Sequence, residues 1–362
     1  MTPYFPLLKL PSLVLDIIFK ELNPEDLIDL SMMSSKLKRT LELHKLSVDL
    51  LYVNFGAFCT DVTVVSEEPK FHMTIESYYP MDPLEAKWKI LRINGEDVMR
   101  LIRQCPERIL MAKNKSSEAK EELLEKVVKH LLSFLKVKDF RLSCKREINF
   151  SKLFFWKITK NLKSLSVRPL DYRSIKMAPE DVKFILEEIK TPKLDLEVIC
   201  NGAKYSNPLN YKDIRIGNSS WVDYQNISID SEAVELHFLR GDTIKEADIN
   251  KLIKNWVEGR NEKLKSIKFH WGLTDPTDQE WRLFKNIKME KILEGFELEQ
   301  RRFTQKELRR RIADGYHAMF SEYRVIRSKT DGFLGAVTQL EKRREIMFTA
   351  WNENVFRGGR NQ

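Results

Sequence analysis

Three short apolar segments near the start of the chain constrain its fold more than any other feature. Pro11 suits the first turn of a helix, and the apolar residues after it have helical spacing: Leu13, Val14, Ile17, Ile18 and Leu22. Asn23-Pro24 ends this helix and begins a second one, which carries Leu27, Ile28 and Leu30. Ser34 or Ser35 can cap a third helix, with Leu37, Leu41 and Leu43. The sequence therefore predicts three consecutive short helices.

These helices do not have the composition of a membrane signal. A secretory signal needs an unbroken apolar run, and a spanning helix needs about 20 apolar residues nearly free of charge. Here the run is interrupted by Pro6, Lys9, Pro11, Asp16 and Lys20. The four cysteines form no Cys-x-x-Cys pair, so neither a zinc ribbon nor a thioredoxin motif is indicated. We expect a cytoplasmic or nuclear protein that does not interact with a membrane.

The apolar content of this segment indicates a binding surface. Helices of this length are marginal alone and need tertiary burial. A unit of about 40 residues has difficulty burying all its own leucines. Some of them therefore remain available to a partner, unless the segment caps a larger core.

The segment from Leu10 to Leu41 resembles the F-box. The motif positions are Leu10, Pro11, Leu13, Val14, Ile17, Leu22, Pro24, Asp26, Leu27, Leu30, Ser31, Ser34, Ser35 and Leu41. Two positions depart from the family pattern. Ser12 replaces an acidic residue, and the third helix has Leu37 and Lys38 where a bulky residue such as tryptophan is common.

The F-box resemblance implies a domain at residues 5–48 that docks onto a Skp-family adaptor. Through that adaptor the protein would join a cullin-RING ubiquitin ligase. The implied contact set is Leu10, Pro11, Leu13, Val14, Ile17, Leu22, Pro24 and Leu27.

The remaining sequence indicates strands that alternate with helices. Residues 49–85 are interpreted as a connecting segment of short strands and loops, and a strand follows at 88–95. Further strands are predicted at 137–143, 162–167, 194–199, 212–217, 233–239 and 264–270. Helices are predicted at 96–105, 117–135, 179–189 and 245–259, the last with Thr243 and Glu246 as a capping box.

This alternation predicts a leucine-rich-repeat-like strand–helix domain, with an ordinary α/β sandwich as the alternative. Residues 323–352 change pattern to strand, turn, strand, turn, strand, with a hairpin signal at Asp331-Gly332. The predicted fold class is therefore α+β: an N-terminal three-helix F-box, then the repeat-like domain, then an antiparallel β-meander.

Residues 249–269 resemble the F-box-associated domain of the large nematode F-box families. The resemblance depends on Trp256, Gly259 and Leu264, with further similarity in the terminal segment that ends at Trp351. It implies that residues 86–362 recruit a protein substrate for ubiquitination. Trp221 and Trp271 end strands next to polar loops, so we expect these two as substrate-binding side chains.

Catalytic motifs are missing from the sequence. It contains no GxSxG, HExxH, Walker A or GxGxxG pattern. His237 and His270 fall on neighbouring predicted strands, but without a carboxylate or thiol assigned to them they do not predict a metal site. We therefore expect a non-catalytic protein without a cofactor or metal.

Basic residues accumulate at the end of the chain. Residues 301–362 contain 14 Lys and Arg against 7 Asp and Glu. This balance allows nucleic-acid binding as the alternative function. Because the charges alternate with apolar residues, a solvated surface is the preferred interpretation, and nucleic acid is not an expected partner.

Overall fold

A computed structural model describes the chain in two compact units, Met1–Leu170 (unit 1) and Asp171–Gln362 (unit 2). The described residues are 9–22, 24–56, 59–66, 70–76, 87–93, 96–102, 108–111, 116–170, 175–202, 204–224, 226–238, 244–261, 263–271, 287–302, 322–329, 332–340 and 345–352. They form a mixed α/β fold that is mostly β, with seven α-helices among them. The predicted boundaries at 48/49 and 85/86 differ from the division between the units and stay predictions.

Unit 1 begins with three helices and continues into a sheet. The helices are α1 (Ser12–Glu21), α2 (Pro24–Met33), α3 (Ser35–His44) and, later, α4 (Ser117–Phe134). The strands are β1 (Leu46–Phe55), β2 (Thr60–Val65), β3 (Lys70–Glu76), β4 (Lys87–Ile93), β5 (Glu96–Ile102), β6 (Arg108–Met111), β7 (Leu135–Cys144) and β8 (Ser164–Val167). Three consecutive N-terminal helices are present, as the sequence predicts; their assignment as an F-box stays a prediction.

The sheet of unit 1 has the strand order β4-β5-β6-β3-β2-β1-β7-β8. The pairs β3–β6, β1–β7 and β7–β8 are parallel, and the others are antiparallel. Helix α4 is capped by Ser116, whose hydroxyl accepts a hydrogen bond from the N–H of Ala119 at 3.1 Å. Its apolar stripe, Leu124, Val127, Val128 and Leu131, is fully buried. The helix at 117–135 is therefore confirmed.

The predicted helix at 96–105 is wrong, because Glu96–Ile102 forms β5. The register pairs Ile93 of β4 with Glu96 of β5, so two residues connect the strands. In the sequence these residues are Asn94-Gly95, the pair most typical of a two-residue hairpin. The turn signal therefore decides between strand and helix where the apolar spacing is ambiguous.

Unit 2 is built on a sheet that is parallel in its first half and antiparallel in its second. Its helices are α5 (Pro179–Glu188), α6 (Glu246–Val257) and α7 (Met289–Ile292). Its strands are β9 (Ile175–Lys176), β10 (Lys193–Ile199), β11 (Asp213–Gly217), β12 (Ala233–Phe238), β13 (Ser266–Trp271), β14 (Leu298–Arg302), β15 (Glu322–Arg327), β16 (Phe333–Leu340) and β17 (Glu345–Asn352).

The strand order of unit 2 is β9-β10-β11-β12-β13-β17-β16-β15-β14. Strands β9 to β13 are parallel to their neighbours, and β13 pairs antiparallel with β17. The predicted antiparallel meander at the end of the chain is confirmed by the pairs β15–β16 and β16–β17. A leucine-rich-repeat-like solenoid stays a prediction, since within the described residues β10 and β11 are connected without an α-helix.

Helix α6 covers one face of the antiparallel half. Trp256 is 1% exposed, and its ring lies 4.9 Å from that of Phe348 on β17, in edge-to-face geometry. The helix begins after Lys245, whose backbone N–H donates to the carboxylate of Asp248 at 3.0 Å. The capping residue is thus Asp248 rather than Glu246. Thr243, the other predicted member of the capping box, lies outside the described residues.

Candidate functional site

Helix α1 has apolar residues on two faces, of which one is buried and the other is exposed. Leu15 and Phe19 are 5% and 2% exposed, and the ring of Phe19 meets that of His44 on α3 edge to face at 5.5 Å. The imidazole of His44 also contacts the Asp16 carboxylate. Leu13 and Ile17, on the other face, are 73% and 57% exposed. Large apolar side chains that remain this exposed mark a binding surface when they are contiguous.

A buried hydrogen bond connects the N-terminal helices to the rest of unit 1. The Ser31 hydroxyl on α2 donates to the carbonyl of Ile28 at 2.6 Å. It therefore accepts from Nε2–H of His130 on α4, 3.0 Å away. Burial lowers the pKa of His130 to about 4; the charge of Lys38 adds a smaller lowering, and the charge of Glu42 acts in the opposite direction. The imidazole is neutral at pH 7 and has a structural role, as its place beside the apolar stripe indicates.

The implied adaptor contacts fall into three groups. Pro11, Leu13, Val14 and Ile17 are exposed, and Leu10 and Leu22 are half-buried. Leu27 is 1% exposed and belongs to the core of the three helices. Pro24 lies in α2, and its side chain is outside the described part of the chain. As the structure stands, Leu27 therefore does not belong to an exposed contact set.

On the described parts of α2 and α3, three exposed apolar side chains were not assigned from the sequence as contacts. Leu30 and Met33 on α2 are 38% and 52% exposed, and Leu43 on α3 is 83% exposed. The spacing of Leu30 and Met33 places them on one side of their helix. This spacing was the available signal, but only the packed helices show which side remains uncovered.

A polar cluster lies on the face of the parallel sheet opposite α6. It consists of Asp195 and Glu197 on β10, Arg215 on β11, Glu235 and His237 on β12, His270 on β13 and Glu345 on β17. The register places His237 opposite His270, and His270 opposite Glu345. Because side chains alternate along a strand, residues two apart share this face.

Arg215 is the central cation of the polar cluster. Its guanidinium donates to Asp195 at 2.9 Å and lies 3.5 Å from Glu197. Its Nε is also 2.9 Å from Nε2 of His237. Burial lowers the pKa of His237 to about 4. The hydrogen bond from His237, followed by one from His270, holds the pKa of Glu235 far below its usual range.

Neither tryptophan expected to bind substrate is on the surface. Trp221 is 2% exposed and ends the 3-10 turn Ser219–Trp221. Trp271 is 4% exposed, and its ring lies 5.2 Å from that of Phe238. The expected exposure is not found because the 3-10 turn that ends at Trp221 and the strand that ends at Trp271 both bury these side chains in unit 2. Contact with a substrate stays a prediction for both residues.

A small pocket of about 220 Å³ opens on unit 2. Its apolar wall includes Ile227, Leu252 and Leu264, all buried, and its polar lining includes Asn255 and Arg260. The volume is smaller than the roughly 300–1,000 Å³ of typical small-molecule sites. The pocket is therefore better suited to a single side chain of a protein partner.

The basic terminal region contributes little to the described surface. Residues 303–321, 341–344 and 353–362, which contain most of its Lys and Arg, lie outside the described residues. Within the described part, Arg327 pairs with Glu299 at 2.8 Å. The nucleic-acid alternative therefore stays a prediction.

Comparison with known proteins connects unit 2 to one family. Residues 207–269 match the family model described as F-box associated. The matched segment contains β11, β12, α6 and the first part of β13, up to Phe269, and it contains every residue that lines the pocket. No curated protein and no solved structure matches the chain. Among the described residues, no helix combines the length and apolar composition needed to cross a bilayer.

Proposed function

We propose that this chain is a non-catalytic substrate-recognition adaptor of an SCF-type ubiquitin ligase. The observation that carries the proposal is the F-box-associated match at residues 207–269. Domains of this family are typically adaptor-type domains without catalysis, and they act in F-box-dependent substrate recognition. In this proposal unit 1 contributes the F-box, and unit 2 recruits a protein target.

The exposed side of α1 supports docking onto a Skp-family adaptor. Leu13, Val14 and Ile17 expose 73%, 38% and 57% of their surface. Complete burial of a large aliphatic side chain contributes about 1.5–3 kcal/mol. Three such side chains, with Leu10, Pro11 and Leu22 beside them, provide a compact apolar core for an interface. Leu27 supports this surface from inside by fixing α2.

The pocket of unit 2 is the proposed place where a substrate side chain binds. Interface anchors are typically large side chains that fill desolvated pockets, surrounded by a polar rim. Arg260 is 68% exposed in its side chain and pairs with Glu258 at 2.9 Å at the surface. We propose that Trp221 and Trp271 act from the interior, by holding the strands and turns of unit 2, and that the pocket residues contact the target.

Affinity capture with mass spectrometry tests the proposal. Wild-type protein should capture ligase subunits, and proteasome inhibition should add target proteins. Arg260→Glu should retain the ligase subunits and lose the targets. Lys263→Glu is a matched control, because Lys263 is 62% exposed, also pairs with a carboxylate, and does not line the pocket.

Two outcomes would contradict the proposal. Failure of the wild-type protein to capture any ligase subunit would exclude the adaptor function. Equal loss of targets with Arg260→Glu and Lys263→Glu would exclude the pocket as the recognition site.

A further inference from the structure

Two histidines and a glutamate converge on the polar face of unit 2. Glu235 and His237 are two residues apart on β12, and His270 lies opposite His237 on β13. The imidazole rings stack with centroids 4.4 Å apart and planes inclined by 7°. Both rings therefore direct Nε2 toward the same carboxylate.

The donor atoms are close enough to share one cation. Oε1 of Glu235 lies 2.6 Å from Nε2 of His237 and 3.3 Å from Nε2 of His270. One ligand atom from each residue fits within 4.8 Å of the other two. Two imidazole nitrogens and one carboxylate oxygen form a common donor set for zinc, with a further position left for water or another ligand. Imidazole also suits copper and nickel, whereas Ca²⁺ and Mg²⁺ prefer oxygen ligands.

A second carboxylate supports one of the imidazoles. Glu345 on β17 is 1% exposed, and its Oε2 lies 3.6 Å from Nδ1 of His270. Metal-binding histidines usually present their other ring nitrogen to a carboxylate, which orients the ring and increases the basicity of the ligand nitrogen. At 3.6 Å the contact is longer than a hydrogen bond. Glu345 is therefore placed to orient His270 after a small approach of the two side chains.

The polar cluster is accessible from one side. Because Glu235 is the most exposed of the three ligands, at 35% of its side chain, an ion can reach the site from that side.

Arg215 occupies part of the site in the absence of an ion. Its Nε lies 2.9 Å from Nε2 of His237, close to where an ion bound to that nitrogen would be. Asp195 and Glu197 hold the same guanidinium from the other side. A metal ion must therefore separate Arg215 from His237, and the two carboxylates on β10 retain the arginine when it does.

We propose that Glu235, His237 and His270 bind a transition-metal dication, with Zn²⁺ as the best fit and Glu345 as the group that orients His270. The proposal depends only on the geometry of unit 2 and is independent of the adaptor function.

Zinc titration of the full, tag-free chain tests this site. After treatment with a chelator, isothermal titration calorimetry with ZnCl₂ should detect one ion per chain. Glu235→Gln, which preserves side-chain size, and His270→Asn, which removes the ligand nitrogen Nε2, should each weaken binding at least about tenfold. Glu232→Gln is the matched control, because the Glu232 side chain is 31% exposed and pairs with Lys265 outside the cluster. Circular dichroism confirms that each variant is folded.

The zinc affinities of the wild type and the variants show whether an ion binds at the polar cluster, elsewhere or not at all. One ion per chain, lost or weakened in the two cluster variants and retained in Glu232→Gln, supports the site. Absence of zinc binding by the wild-type chain overturns the proposal. Equal zinc affinity for the wild type, Glu235→Gln and His270→Asn also overturns it, since the ion would then bind elsewhere.

Discussion

At the scale of single residues, His130 shows how one polar side chain fastens the N-terminal helices to unit 1. It is 1% exposed, and its hydrogen bond to Ser31 joins α4 to α2. The sequence places His130 beside the apolar stripe of α4, a position compatible with a structural role. It does not identify Ser31, which is 99 residues away along the chain, because only tertiary packing brings these two positions together.

The lowered pKa of His130 predicts a loss of stability in mild acid. Its pKa is about 4 in the folded chain and about 6.5 when unfolded, so between these pH values the unfolded state binds the additional proton. The contribution of neutral His130 to the free energy of unfolding is complete above pH 6.5 and decreases as the pH falls toward 4. His130→Gln removes this pH-dependent contribution. In urea unfolding, the wild type should lose about 2–3 kcal/mol more than this variant between pH 7.5 and 4.5; identical losses would contradict the assignment.

The polar cluster shows what can and cannot be predicted from sequence at this scale. The alternation of strand residues predicts that His237 and His270 can be neighbours. The partners Arg215, Glu235 and Glu345 depend on the register of three strand pairs, one of which joins β13 to a strand about 75 residues later. No local pattern specifies that register, so the carboxylates near the histidines emerge only from the folded sheet.

At the scale of elements, segments with strong periodicity are predicted well. Helices α4, α5 and α6 and strands β10 to β13 lie where the spacing of apolar residues indicates them. The error at residues 96–105 arises because Val98, Met99, Leu101 and Ile102 fit both a strand and a helix. For Trp221 and Trp271, the sequence predicts strand ends next to polar loops but not the burial of both side chains.

The two faces of α1 predict that truncation to alanine has a large effect on stability at one face and a small effect at the other. Leu15→Ala removes a side chain that is 5% exposed and should lower the free energy of unfolding by about 2–5 kcal/mol. Leu13→Ala, two residues away, removes a side chain that is 73% exposed and should change it by less than about 0.5 kcal/mol. Urea unfolding of both variants measures the difference. Equal effects would contradict the orientation of α1.

Close packing between α6 and the meander predicts a second element-scale effect. A Cβ atom at Gly335 on β16 would lie 2.6 Å from two ring carbons of Phe348 and 3.0 Å from Trp256. Gly335→Ala should therefore destabilise the protein by about 1–3 kcal/mol. As a control, Phe348→Leu is introduced into both the wild type and the Gly335→Ala variant. If the clash is responsible, thermal unfolding will show a smaller cost of Gly335→Ala with leucine at 348, whereas an unchanged cost would exclude the ring as its cause.

At the scale of the whole molecule, the chain combines two units with different features. Unit 1 carries an exposed apolar surface on its first helix, and unit 2 carries the F-box-associated match, the pocket and the polar cluster. This division agrees with an adaptor that connects a ligase to a target. The sequence predicts the order of these parts, because each depends on local motifs, but the unit boundary at 170/171 depends on long-range strand pairing.

Direct binding of a purified Skp-family adaptor tests the proposal that the exposed side of α1 docks onto this adaptor. Ile17→Asp puts a charge on a side chain that is 57% exposed in the proposed interface; Leu170→Asp does so at 55% exposure outside the implied contact set. In isothermal titration calorimetry we expect the wild type and Leu170→Asp to bind the adaptor with the same affinity and Ile17→Asp to bind it at least about tenfold more weakly. Absence of wild-type binding, or equal affinity of both variants, would contradict this proposal.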